Sequence, residues 1–238
     1  SEPMVVMVTP DVSPRARARL SEQGWLIRDV EELRNESCQT VPLFPRFVHS
    51  YVKLRAWQLT EFDKVVLLDA DTLVLQNVDE LFERPDFAAA PDFLAPDHFN
   101  SGVMVLDPSN DTFEAMMARL PVTETYDGGD QGFLNSYFAD WYSRPVSHRL
   151  PIGYNLFHFL YQFLRSHPGL QRTLEKEAKI LHYSVQKPWR LAPQLTGASS
   201  TWWNMYFAAH PEEDRPWRRH VHALEDWTFD RVVALFIG

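Results

Sequence analysis

The stretch Lys64-Val65-Val66-Leu67-Leu68-Asp69-Ala70-Asp71-Thr72-Leu73-Val74-Leu75 constrains the chain most. Val65 to Leu68 is a short apolar run, and such a run reads as a strand buried on both faces, the pattern of a parallel sheet. Two carboxylates, Asp69 and Asp71, come where the run stops. Open α/β sheets bind ligands at the carboxyl ends of their strands. Hard oxygen donors on a short arc suit Mg²⁺ or Mn²⁺ carrying the phosphates of a substrate. On its own, Asp-x-Asp equally describes a solvated turn.

The chain of 238 residues is 45% hydrophobic, enough to build a full core in one domain or at most two. A formal net charge of −9 lacks the basic stripe that a nucleic-acid surface requires. It leaves room for a phosphate-bearing ligand, because a bound cation changes the local charge. Cys38 is the only cysteine, so no internal disulfide forms, and a cytosolic setting is expected. No apolar run approaches the roughly twenty residues of a membrane span, and Ser1-Glu2-Pro3-Met4 lacks the pattern of a signal peptide.

Met4 to Val8 is an apolar run ended by Thr9-Pro10-Asp11 and reads as a core strand. Ser13-Pro14 opens a helix through Gln23 with proline at its first position, Gly24 ends it, and Trp25-Leu26-Ile27 is a second strand. That is β-α-β order. Phe47 to Phe62 places Tyr51, Leu54, Trp57 and Leu59 near one face of a helix, with Lys53 elsewhere on it, by itself an ordinary solvated lysine. Phe87 to Ala90 and Val103 to Leu106 read as further strands. Asn100, Ser101 and Gly102, ahead of the latter, form either a turn or a polar segment able to approach a ligand.

Asp127-Gly128-Gly129-Asp130-Gln131-Gly132 precedes a helix from Phe133 to Tyr142. Its glycines can bring N–H groups close to a ligand, while Asp127 and Asp130 equally suit helix capping. Lys179 to Tyr183 is a strand containing His182, a residue type that near a core is more commonly hydrogen-bonded structure than ligand. Lys187, before Pro188-Trp189, suits a point-charge anchor for phosphate. Residues from about 200 to 238 read as a helical extension of a single domain over 1–238, whose motif-bearing core spans 4–189.

Taken in order, these segments resemble the glycogenin-like retaining glycosyltransferases, glycosyltransferase family eight. The resemblance rests on Lys53 in Tyr51-Val52-Lys53-Leu54, then LLDADTLVL (67–75), FNSGVMVLDPS (99–109), DGGDQGFLN (127–135), LPIGYN (150–155) and ILHYSVQKPW (180–189). It implies a GT-A fold, an α/β architecture with a mixed sheet flanked by helices. A UDP-sugar donor and a divalent cation are also implied, usually Mn²⁺, with Mg²⁺ the alternative. By position, Asp69, Asp71 and His182 would hold the metal, and an imidazole beside paired carboxylates suits Mn²⁺ better than Mg²⁺. Lys187 would contact the donor diphosphate and Lys53 would lie near the sugar or phosphates. The Ala70 backbone, Asn100, Ser101, Asp127, Gly129, Asp130 and Gln131 would surround the donor sugar. Asp130, Gln131 and Lys53 are the expected catalytic set. Retention has two routes: covalent attack by Asp130, or departure and attack on one face with Asp130 and Gln131 orienting. The acceptor would be a carbohydrate, polyol or other hydroxyl, and both a monomer and a homodimer stay open.

Three departures from the family pattern stand out. Met4 to Thr9 corresponds to the family's second strand by its distance from the Asp-x-Asp motif. The first β-α unit, which holds uracil and ribose, is therefore expected to be absent, leaving an unpaired strand edge. The loop His182-Tyr183-Ser184-Val185-Gln186-Lys187 is shorter than in glycogenin and nearer to galactinol-synthase-like relatives. Gln162 falls at the position of glycogenin's self-glucosylated tyrosine, and the adjacent Tyr161 reads as a core aromatic with Phe159 and Phe163. No self-glucosylation is expected. The resulting expectation is metal-dependent transfer of glucose or galactose from a UDP-sugar. Its rivals are an inactive nucleotide-sugar-binding relative and a metal-dependent nucleotidyltransferase or sugar-nucleotide hydrolase.

Overall fold

Strand β1 (Met4–Val8) and strand β2 (Leu26–Asp29) pair in parallel across helix α1 (Pro14–Glu22), as their β-α-β order requires. The computed structural model that shows this describes residues 2–184, 187–190, 197–209 and 232–237. The Ser13 hydroxyl accepts from the Ala16 N–H and caps α1, and Gly24 leaves it at φ +89°, a left-handed conformation that favours glycine.

The described residues gather into two compact units. The first holds the described residues up to Ala70, those from Val78 to Ile152, and the last strand. Its core is β3 (Val65–Asp69), β5 (Ala88–Pro91), β6 (Phe99–Leu106) and β9 (Val232–Ile237), which with β1 and β2 make a sheet of order β2-β1-β9-β3-β6-β5. Helices α2 (Asn110–Arg119) and α3 (Asp130–Tyr137) belong to the same unit. The second unit is built on β4 (Thr72–Val74), β7 (Leu156–Phe157) and β8 (Ile180–His182), ordered β4-β8-β7. It carries helices α4 (His158–Arg165), α5 (Pro168–Glu177) and α6 (Gly197–Ala209).

The structure corrects four expectations. Strand β3 is buried on both faces, yet both its neighbours, β6 and β9, run antiparallel to it. An apolar run reports two covered faces and carries no information on pairing direction. The segment Pro45–Gln58 is a run of 3₁₀ turns, where an α-helix over Phe47 to Phe62 is expected. Buried Tyr51, Leu54 and Trp57 recur every third residue, the spacing that eclipses on a 3₁₀ face, and so short a window cannot separate period 3 from period 3.6. Asn100, Ser101 and Gly102 lie inside β6 rather than in a turn before it. Finally, the strand β9 stands where a helical tail and an unpaired edge are expected: it lies between β1 and β3, antiparallel to both. The run Val232-Val233-Ala234-Leu235-Phe236-Ile237 is apolar and rich in β-branched residues, the ordinary strand signal. Residues 210–231 of the expected extension lie outside the described residues, as do Val185 and Gln186 of the short loop.

Aromatic packing fills the first unit. Phe87 stacks on Phe138 at 3.7 Å between centroids and meets Phe99 edge-on, while Trp57 stacks on both Phe87 and Phe138. Each of these buried rings contributes about 1.5–3 kcal/mol through removal from water. The core matters for function because it sets the strands that present the polar residues.

Candidate active site

In the first unit, Lys53 is the centre. Its ammonium is buried and lies 2.8 Å from Asp69 Oδ1 and 2.9 Å from Asp130 Oδ2, and it donates to Ser101 O and Oγ at 3.1 Å. Burial by itself would push this ammonium towards neutrality, but Asp130 and Asp69 together outweigh that and hold it above its ordinary pKa. Asp130 is the mirror case. Burial raises its carboxyl, yet Lys53, Ser50 and Ser101 win and hold it below the usual range, as an anion. The Ser101 hydroxyl donates to Asp130 Oδ2 at 2.7 Å.

A local irregularity presents Ser101. Ala89 pairs with Met104 and Ala90 with Asn100, so Ser101, Gly102 and Val103 face no partner on β5. Bulges of this kind redirect side chains next to active sites. Asn100 Nδ2 donates to Gln131 Oε1 at 2.8 Å, and the Ser101 N–H donates to the same oxygen at 3.2 Å. Gln131 Nε2 then donates to Asp92 Oδ2 and to Tyr126 Oη at 3.2 and 2.9 Å, which fixes the amide orientation. Asp127 takes the capping role: its Oδ1 accepts from the N–H groups of Gly129 and Gly132, and Gly129 is the N-cap of α3. Burial raises the Asp127 carboxyl, with Asp130 adding to the effect.

In the second unit, Asp71 Oδ1 lies 3.3 Å from His182 Nε2, and Asp71 Oδ2 is paired with the Lys187 ammonium. The His182 and Lys187 side chains are buried, and that of Asp71 is 14% exposed. Burial acts to raise the Asp71 carboxyl, but His182 and Lys187 hold it far below the usual range. Lys187 also donates to Tyr183 O at 3.1 Å. The strand pairing of Thr72 with His182 sets this contact, and the Tyr183 N–H donates to Asp71 O at 2.9 Å. On the other side of the ring, Asn155 Oδ1 lies 2.8 Å from His182 Nδ1.

Asp69 and Asp71 are two residues apart, with Ala70 in the turn between them, and with His182 they form the group of metal-ligating types among the described residues. The donor chemistry fits a hard or borderline divalent cation: carboxylate oxygens plus one imidazole nitrogen. The 3.3 Å between Asp71 Oδ1 and His182 Nε2 also fits. Donors about 2.1–2.3 Å from a cation, at adjacent octahedral corners, stand about 3.0–3.3 Å apart.

Asp92, Tyr126, Ser50 and Asn155 join these clusters without having been picked out from sequence. Asp92 had a usable signal, the same one as Asp69: an acid that ends an apolar run, Phe87-Ala88-Ala89-Ala90-Pro91. Asn155 lay inside a noted motif, but nothing local ties it to a histidine 27 residues later. Tyr161 is buried among Leu156, Ala178, Leu181 and Tyr183, which agrees with a core role, while its expected companions Phe159 and Phe163 are exposed. Among the described residues no helix is long and apolar enough to cross a membrane.

Against known proteins, the family model described as glycosyl transferase family 8 matches residues 1–192. Glycogenin-1 of Caenorhabditis elegans is 36% identical over 208 residues, 86% of this chain and 48% of that protein. UDP-glucuronate:xylan alpha-glucuronosyltransferase 1 of Arabidopsis thaliana is 36% identical over 194 residues, 78% of this chain and 27% of that protein. The chain thus spans about half the length of the glycogenin it matches, or less for the plant enzyme. Two solved structures share the fold. One is the galactosyltransferase LgtC in complex with donor and acceptor sugar analogs, with TM-score 0.52 and 19% identity over 79% of each chain. The other is the apo-form glycosyltransferase GlyE of Streptococcus pneumoniae, with TM-score 0.53 and 21% identity over 88% of this chain and 64% of that one. The fold is therefore of the GT-A type.

Proposed function

Because the chain belongs to glycosyltransferase family 8, we propose that it transfers a hexose, glucose or galactose, from a UDP-sugar to a hydroxyl acceptor with retention of configuration. Asp69, Asp71 and His182 would hold a divalent cation, Mn²⁺ by the imidazole in the set. The observation that carries the reading is the buried pairing of Asp71 with both His182 and Lys187. It concentrates one carboxylate, one imidazole and one ammonium where a strand ends, and a diphosphate needs a cation and a positive side chain together. When bound, the metal would supply Lewis-acid neutralisation of the departing diphosphate.

The chain's own residues account for the rest. Lys187 is drawn to Asp71 here and is the ammonium available to a diphosphate oxygen. Asp92, Asn100 and Gln131 form a fixed array of acceptors and donors suited to sugar hydroxyls. Asp130 is held as an anion by Lys53, Ser50 and Ser101. A carboxylate stabilised by several donors is a weak nucleophile and a good electrostatic partner for positive charge at the anomeric carbon. This supports the route in which Asp130 and Gln131 orient while the acceptor enters on the face the diphosphate leaves.

The test follows UDP release from UDP-glucose and UDP-galactose with and without Mn²⁺, beside Asp71→Asn. We expect metal-dependent release, lowered by about a hundredfold or more in the variant, the scale for removing one charge-stabilising group. Metal-dependent binding with no release in any acceptor mixture would favour an inactive binding relative. No binding of either nucleotide sugar would overturn the proposal.

A further inference from the structure

Asn155, Phe157 and His158, close together in the chain, each meet His182. Phe157 pairs with His182 in the β7–β8 register and meets its ring edge-on at 5.6 Å. His158 makes a hydrogen bond to the His182 backbone and stacks on the next residue, Tyr183, at 4.8 Å. Asn155 is itself 2% exposed, and its Oδ1 lies 2.8 Å from His182 Nδ1. The amide oxygen of asparagine only accepts, so the ring nitrogen facing it carries the proton. In the neutral ring, the form that ligates a metal, the lone pair is then on Nε2, the atom directed at Asp71 Oδ1. A divalent cation placed there would be attracted by both that lone pair and the carboxylate oxygen 3.3 Å from it.

We infer that Asn155 is a positioning residue for a divalent cation: it holds His182 as the Nδ1–H tautomer and so aims Nε2 at the metal position beside Asp71. The inference rests on the metal reading proposed above. Hydrogen-bond partners of metal-ligating imidazoles fix their tautomer and orientation, and removing such a partner typically costs about 10- to 100-fold in metal affinity. Leu156 and Phe157 contribute none of this directly; they supply the short parallel strand that brings Asn155 to the histidine.

The test is Mn²⁺ binding by electron paramagnetic resonance titration of the 238-residue chain, with no nucleotide sugar, for the parent, Asn155→Leu, Asn155→Asp and Asp71→Asn. Thermal melts of the metal-free proteins run alongside. We expect Asn155→Leu to weaken Mn²⁺ binding by about 10- to 100-fold. Asn155→Asp, whose carboxylate also accepts from Nδ1–H, should stay within about threefold of the parent, well inside that loss. Unchanged affinity in Asn155→Leu would overturn the inference while leaving the metal site intact. Equal losses in both Asn155 variants, tracking a fall in metal-free melting temperature, would also overturn it and mark Asn155 as structural. A parent chain that binds no Mn²⁺, matching Asp71→Asn, would overturn the metal reading itself and this inference with it.

Discussion

At Lys53 one ammonium holds two acids and a serine, and the sign of its shift follows from that count. Replacing it with methionine would leave Asp69 and Asp130 without their counter-charge in a buried setting. Breaking such a pair from one side typically costs about 3–5 kcal/mol. Lys53→Met should therefore lose about that much in denaturant unfolding, and Asp130 should become easier to protonate. The pH dependence has a fixed direction. Asp130 is depressed in the folded chain, so its stabilisation is present above the ordinary carboxylate pKa, about 3.9, and is lost as pH falls through its lowered value. Lys53 is raised, so its contribution is complete below about 10.4 and is lost as pH rises through its folded value. Thermal melts across pH should show a plateau between these limits from this cluster, and Lys53→Met should flatten both shoulders.

Elements matter where backbone passes close to backbone or to a cap. A Cβ on Gly132 would collide with Asp127 Oδ1, the atom that accepts both N–H groups at the start of α3. A Cβ on Gly153 would collide with the Glu177 carbonyl, against the strand-edge bond from Lys179 N to Gly153 O. Gly24 has open space around it and only its φ of +89° to defend. Overpacking typically costs about 1–3 kcal/mol and can exceed that where backbone must move, while a left-handed alanine costs about 1–2. Chemical denaturation should therefore rank Gly153→Ala as more destabilising than Gly24→Ala, with Gly132→Ala also lowering the helicity of α3. Equal costs at Gly153 and Gly24 would contradict the close approach.

Across the whole chain, the large sheet is completed by a strand from its far end. Strand β9 pairs along its length with both β1 and β3, so its removal would split a six-stranded sheet and expose two edges. A chain lacking residues 228–238 should lose cooperative unfolding and go to aggregate, as measured by calorimetry and size-exclusion chromatography. A soluble truncated protein with parent-like melting would show that the pairing is dispensable. The acidic balance, −9, is a separate property of the whole and predicts no salt-dependent affinity for duplex DNA.

Local chemistry determined much of this protein. The apolar run before Asp69, the proline-opened α1, the glycine after it and the apolar β8 strand around His182 are all written in adjacent residues, because propensity, capping and alternation act over a few positions. The order of motifs was enough to mark the family. Only the tertiary structure decided which groups share a charge. Lys53 reaches Ser101 across 48 positions and Asn155 reaches His182 across 27, distances over which no periodicity survives. The antiparallel neighbours of β3 and the seat of β9 were likewise decided by packing, since an apolar strand satisfies its backbone equally with either direction and with a partner from anywhere in the chain.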